Sequence, residues 1–112
     1  MTSDSKGRAP IDVADETFAE FVIGNMTAVV DCWAAWCYPC RILGPVIEQL
    51  AEEHREVAFG KLNVDENPTI AMRFGIMSIP TLLYFKDGKL VDRTTGALPK
   101  EAIENRLGKL LV

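Results

Sequence analysis

The chain has 112 residues, 48% of them hydrophobic and 25% charged, which is one domain's worth and enough to bury roughly two-thirds of the unfolded surface without a structural metal or a disulfide framework. Twelve basic and sixteen acidic residues leave a net charge of −4, and no run of Lys or Arg offsets it, so nucleic acid is excluded as a first reading. Three clustered cysteines, Cys32, Cys37 and Cys40, are too few for a secreted disulfide scaffold.

Residues 1–9 are polar and predict a flexible tail ahead of a domain over 10–112. Ile11 to Val13 reads as a short first strand. Asp15 then reads as the N-cap of a helix that buries Phe18, Phe21 and Val22 and stops at Gly24–Asn25. Ala28 to Trp33 is apolar on both faces, the signature of a central strand covered on two sides. A second helix begins around Cys37 to Pro39, with Leu43, Val46, Ile47, Leu50 and Ala51 as its apolar stripe. Pro45 is expected to kink it by removing the bond to the Arg41 carbonyl. Val57 to Val64 is a further strand, and Asn67–Pro68 opens a short helix that Gly75 closes. Thr81 to Phe85 and Leu90 to Thr95 flank Asp87–Gly88, a strong hairpin signal. The last helix runs from about Pro99 to Leu111, with Ile103, Leu107, Leu110 and Leu111 facing inward. The order β-α-β-α-β-α-β-β-α predicts an α/β fold: parallel crossovers first, an antiparallel hairpin last, and a mixed sheet with helices on both faces.

The chemistry lies in Trp36-Cys37-Tyr38-Pro39-Cys40, where a central strand ends and a helix begins. Sites form at the carboxyl ends of such strands. A helix N-terminus presents free N–H groups and partial positive charge, which stabilises a thiolate. Cys37, nearer the open end, is expected to be the more exposed and more acidic thiol. Cys40 lies three positions on, on the same helical face, where it can attack a mixed disulfide on Cys37 and release the substrate's thiol. Pro39 stiffens the small ring, and Tyr38 is expected to stand exposed beside the reactive sulfur. This dithiol chemistry calls for no cofactor.

Other readings of a C-x-x-C need more ligands than the chain offers. Zinc wants about four, and the supply is Cys32, Cys37, Cys40 and His54, with Cys32 in mid-strand and His54 several turns down the helix. An iron–sulfur cluster lacks a fourth thiolate unless two chains share it. The third alternative is a pair of merely buried cysteines. Met1 to Pro10 lacks the apolar stretch of a signal peptide, and no run approaches about 18–20 apolar residues. A cytoplasmic, monomeric protein with no membrane association is therefore the expectation.

The stretch Val29-Val30-Asp31-Cys32-Trp33-Ala34-Ala35-Trp36-Cys37-Tyr38-Pro39-Cys40 resembles the active-site segment of the thioredoxin family. Lys61-Leu62-Asn63-Val64-Asp65 with Asn67-Pro68 resembles that family's third strand and following helix. Phe74-Gly75-Ile76 and Ile79-Pro80-Thr81 resemble the segment carrying its cis-proline, and Phe85-Lys86-Asp87-Gly88 and Gly96-Ala97 its hairpin and late glycine. The likeness runs in order over residues 11 to 111. It implies five strands flanked by four helices, reversible dithiol–disulfide exchange with protein substrates, and re-reduction by a thioredoxin reductase. Two positions depart from the family pattern. Tyr38 stands where a glycine is usual, at a position that the resemblance makes a lever on redox potential. Ser78 stands where a glycine is common before Ile79.

Asp31 is a carboxylate on a central strand, costly to bury ionised and raised in pKa if buried. Such a group can take the proton from Cys40 as that thiol attacks; alternatively the strand end is wet and Asp31 merely solvated. The resemblance implies the first role, with Lys61 tuning Asp31 from the neighbouring strand, and a cis peptide at Pro80. It also implies that Trp36, Tyr38, Pro39, Ile79, Pro80 and Gly96 form an apolar docking patch around Cys37. Trp33 reads as core beneath the site, Cys32 as an inert buried thiol, and His54 as a helix-surface residue. Three functions follow: a general protein-disulfide reductase; a thiol oxidase or isomerase, or a glutaredoxin-like poise, if Tyr38 shifts the potential; and a thioredoxin-like binding module whose cysteines are incidental.

Overall fold

The computed structural model describes residues 9–112; the tail expected over residues 1–9 lies, apart from Ala9, outside the described residues. In chain order the elements are β1 (Ile11–Asp12), α1 (Phe18–Ile23), β2 (Thr27–Trp33), α2 (Tyr38–Glu53), β3 (Ala58–Asn63), α3 (Pro68–Arg73), β4 (Thr81–Lys86), β5 (Lys89–Thr95) and α4 (Lys100–Leu110). The strands form one sheet in the order β1-β3-β2-β4-β5. β3 runs parallel to both β1 and β2. β4 is antiparallel to β2, and β5 to β4. This is the mixed five-stranded sheet with four helices that the sequence predicts.

β2 is central because its side chains are apolar on both faces, and the alternation of a strand sends them to two separate cores. Ala28, Val30 and Cys32 pack with Phe18, Phe21, Val22 and Ile70 beneath α1 and α3. Phe18, Phe74 and Phe85 meet there as three tilted or edge-on rings, 5.4–5.7 Å between centroids. Val29 packs on the other face with Leu43, Ile47 and Leu50 of α2 and Ile103 and Leu107 of α4. The β4–β5 hairpin turns on Asp87 (φ 53°) and Gly88 (φ 81°), both left-handed, as a tight Asp-Gly turn requires.

Three local expectations are corrected. α1 begins at Phe18 with Thr17 in the cap position, so Asp15 does not cap it. Thr17 Oγ1 instead accepts from Ala14 N–H in the preceding turn. Asp15 caps α3 from a distance: its carboxylate accepts from Thr69 N–H (3.1 Å) and Ile70 N–H (2.9 Å), while Asn67 Oδ1 accepts from Asp15 N–H (2.9 Å). Leu111 is exposed rather than inward, because it lies past the end of α4 and the helix's buried stripe ends with Leu110. His54 is half-buried at the C-cap of α2, its Nε2 2.9 Å from Glu104 Oε2, so it ties α2 to α4 instead of standing free on the surface. α2 runs on through Pro45 as one 16-residue helix. Pro45 and Arg41 share an exposed face, where water can satisfy the carbonyl that proline leaves without a donor.

Candidate active site

β2 ends at Trp33, and three residues later the chain enters α2 through Cys37, the N-cap residue of that helix. A cap side chain normally offers oxygen to the free N–H groups of the first turn. Here the acceptor is sulfur: Cys37 Sγ takes the Cys40 N–H at 3.2 Å. The same atom lies 3.7 Å from the Ile79 carbonyl oxygen. Cys37 and Cys40, with Cα atoms 5.3 Å apart, are joined as a disulfide. Backbone N–H and the positive end of α2 both favour negative charge on Cys37 Sγ once the pair is reduced. Pro39 fills a first-turn position where a missing N–H leaves no bond unmade.

The expected difference in exposure between the cysteines is not found. Cys37 is 3% exposed and Cys40 5%. Trp33, Val64 and Ile79 pack against the cluster of Ala34, Cys37 and Cys40, so neighbouring elements cover Cys37 even though its place at the helix start is an open one. Any group that reaches Cys37 must therefore approach between the side chains that cover it.

Those surroundings include the residues assigned to the docking patch. Trp36 and Tyr38 flank Cys37 and are well exposed, as is Pro39. The Ile79–Pro80 peptide is cis. Pro80 is buried, Ile79 half-buried, and the Ile79 N–H donates to no other described residue. Gly96 is brought to the same rim: its N–H donates to the Pro80 carbonyl at 2.8 Å, and its φ of 95° explains the glycine, since no atom lies where a Cβ would point. One contact had no sequence signal: Trp36 Nε1 donates to Asp65 Oδ2 at 2.8 Å. Asp65 is held in turn by Asn63, whose Oδ1 accepts from Asp65 N–H and Glu66 N–H, an Asx turn that the Asn63 position could have signalled.

Asp31 lies deeper on β2. It is buried, and its Oδ1 has no hydrogen-bond partner among the described residues. Burial raises its pKa to about 7, against the smaller opposing pull of the Lys61 charge. Asp31 shares its strand face with Val29 and Trp33 by alternation, the side on which α2 packs. Lys61 is its register partner on β3, yet the ammonium makes no ion pair with it. Lys61 Nζ stands 4.8 Å from the centre of the Trp33 ring, a cation–π contact that holds the charge near the carboxylate without neutralising it. Cys32 points the opposite way, is fully buried, and has its thiol pushed up to about 12, first by burial and then by Asp31. A thiol so placed supplies no thiolate at neutral pH. His54 lies at the far end of α2, about 20 Å along the axis from Cys40. Its nearest potential metal ligands are Glu53 and Glu104 rather than a cysteine, and Glu53 is already paired with Lys100 at 2.6 Å.

Comparison with known proteins agrees with this arrangement. The sequence profile of the thioredoxin family matches residues 9–109. The thioredoxin of Alicyclobacillus acidocaldarius is 47% identical over 104 residues, covering 92% of this chain and 99% of that protein. Thioredoxin 2 of Chlorobaculum tepidum is 52% identical over 98 residues, covering 86% of this chain and 90% of its own. Among solved structures, a mutant thioredoxin from Halobacterium salinarum superposes with a TM-score of 0.87 at 33% identity, covering 91% of this chain and 90% of that one. With a cysteine pair capping α2 and a profile match over nearly its whole length, the chain belongs to the thioredoxin family.

Proposed function

We propose that this protein reduces disulfides in other proteins by dithiol–disulfide exchange, with Cys37 as nucleophile, Cys40 as resolving thiol and Asp31 as the base that serves Cys40. The observation that carries the reading is the Cys37–Cys40 disulfide at the start of α2, with Cys37 Sγ accepting the Cys40 N–H. In the reduced protein the Cys37 thiolate attacks one sulfur of a target disulfide. A bond forms between Cys37 Sγ and that sulfur, and the other target sulfur leaves as a thiolate. Cys40 then gives its proton to the Asp31 carboxylate and attacks Cys37 Sγ. The mixed disulfide breaks, the second target sulfur is released, and the protein is left with its own disulfide. Two electrons have passed from the protein to the target.

Asp31 suits that proton because its pKa of about 7 lets it exchange readily near neutrality. The Lys61 charge keeps it from rising further. Trp36, Tyr38, Pro39, Ile79, Pro80 and Gly96 present the surface on which the target lies, and the free Ile79 N–H and the Ile79 carbonyl invite an extended segment to pair as an added strand. Membership of the family implies protein disulfides as substrates and a thioredoxin reductase to restore the dithiol. No helix of the described residues is long and apolar enough to cross a membrane, and we place the protein in the cytoplasm, where the Cys37–Cys40 pair is kept reduced enough to work. Substitution tests the roles. Cys40→Ser is expected to trap target proteins on Cys37 as mixed disulfides that dithiothreitol releases, and Cys37→Ser to abolish insulin reduction. Insulin reduction that survives Cys37→Ser removes the assignment.

A further inference from the structure

Beside the active site, α3 and the loop after it leave a shallow apolar groove of about 440 Å³, lined by Val64, Pro68, Ala71, Met72, Ile76 and Met77 among others. Two of its walls are thioethers that the reduction mechanism does not use. Met72 is 80% exposed and Met77 94%, unusual for side chains that large and apolar.

The groove is continuous with the site. Val64 lines it and also packs against the buried cluster that Ala34, Cys37 and Cys40 form. Met77 is two residues before Ile79, whose carbonyl oxygen lies 3.7 Å from Cys37 Sγ. At about 3.8 Å per residue, the Met77 Cα stands no more than about 8 Å from that of Ile79. Because Cys37 is almost covered, a protein sulfur that reaches it brings its flanking chain down onto these neighbours. The occupant of the groove is therefore the polypeptide around the target's disulfide.

We propose that Met77, together with Met72, is an oxidation site through which peroxide loosens the docking of protein disulfides while leaving the dithiol chemistry intact. This rests on the reductase reading above. The thioether sulfur attacks one oxygen of hydrogen peroxide, the O–O bond breaks, a sulfur–oxygen bond forms, and water leaves. The sulfur loses two electrons, which the peroxide takes up. The product is a polar sulfoxide in place of a flexible apolar contact, so a groove that received apolar side chains now holds water. A small aromatic disulfide reaches Cys37 without covering the groove and does not sense the change.

Met26 provides an internal control. It is 73% exposed and should oxidise as readily. It precedes β2, whereas the site follows that strand, so the seven residues of β2 separate them by about 20 Å.

The experiment treats the disulfide form with hydrogen peroxide, which protects Cys37 and Cys40, and follows each methionine by peptide mass spectrometry. After reduction, turnover of insulin is compared with turnover of 5,5′-dithiobis(2-nitrobenzoate). We expect kcat/KM for insulin to fall roughly fivefold, mainly through KM, which corresponds to losing part of one apolar contact. Turnover of the small disulfide should stay unchanged. Met72→Leu/Met77→Leu should give equal insulin rates before and after peroxide, while Met26→Leu should remain sensitive. Met77→Gln, a polar side chain of similar length, should show the loss without peroxide. Unchanged insulin turnover after Met72 and Met77 are oxidised overturns the proposal alone, as does a parallel fall with the small disulfide. Untreated protein that reduces neither disulfide would remove the reductase reading, and this proposal with it.

Discussion

The indole N–H of Trp36 donates to the Asp65 carboxylate at 2.8 Å, linking the loop before α2 to the turn after β3. The bond orients an exposed ring that stands next to Cys37, so a partner meets Trp36 already arranged. We expect Asp65→Ala to leave the ring free and lower kcat/KM for a protein disulfide about two- to tenfold, the worth of one hydrogen bond of about 0.5–1.5 kcal/mol. Small-disulfide turnover should hold steady. A double-mutant cycle with Trp36→Phe measures the coupling; strictly additive losses would show that the bond positions nothing.

Asp31 makes the fold pay for its site. A buried carboxyl whose folded pKa, about 7, lies above its ordinary 3.8 binds more protons when folded than unfolded. Stability from this group is complete below pH 3.8 and is lost as pH rises through 7. Asp31→Asn, which removes the ionisation, should therefore stabilise the protein at pH 8 and do little at pH 4. At about 1.4 kcal/mol per pH unit, the gap between those values bounds the gain at about 4 kcal/mol. Urea unfolding at the two pH values tests the sign. The same variant should slow the attack of Cys40 on a mixed disulfide at Cys37 and flatten the pH dependence of that step near 7. A variant less stable at pH 8 would mean that the carboxylate is compensated by a partner.

The contrast between Asp31 and Asp65 shows what sequence can disclose. Asp31 stands in an apolar run that left burial and a wet strand end both open, and the structure buries it. The cysteine pair sits at a strand-to-helix junction that is visible in the residue pattern, and the hairpin carries its Asp-Gly signal. Asp65 touches Trp36 across 29 residues of chain, and nothing local to either residue announces the other. The low exposure of Cys37 escaped for the same reason: its place at a helix start argues for openness, and the cover comes from Val64 and Ile79 on other elements. The exposure of Met72 and Met77 has no signal in the sequence, since an apolar residue in a short helix or the loop after it does not show whether another element covers it.

Asp15 is a further long-range case with a stability consequence. It lies 54 and 55 residues from the two N–H groups it caps in α3, and it completes the loop with Asn67. Loss of a cap of this kind costs about 1–2 kcal/mol. Asp15→Ala is expected to lower the melting temperature by roughly 5–10 °C, with faster amide exchange confined to the first turn of α3. Asp15→Asn, which keeps an acceptor oxygen, should recover much of the loss. Equal melting temperatures for Asp15→Ala and the parent protein would show that α3 is held by packing alone.

Tyr38 is the residue from which a shifted redox potential would be expected, and its setting argues for a small effect. The ring is well exposed, and it opens α2 at a position where backbone freedom is already limited by Pro39. What remains is the difference in chain entropy between tyrosine and glycine, at most about 0.5–1 kcal/mol. Glycine makes closing the ring costlier, so Tyr38→Gly should raise the potential, and 1.4 kcal/mol corresponds to about 30 mV for a two-electron couple. The expected change is therefore no more than about 20 mV towards less negative values, from a parent near the thioredoxin value of about −270 mV. Equilibration in thiol–disulfide buffers, read by Trp33 and Trp36 fluorescence with Cys32→Ser as control, measures both. A parent value near that of a glutaredoxin, or a shift several times larger on substitution, would mean that the phenol acts on the sulfurs themselves and would favour oxidase or isomerase work. A small shift accompanied by weaker insulin binding would place the contribution of Tyr38 in docking.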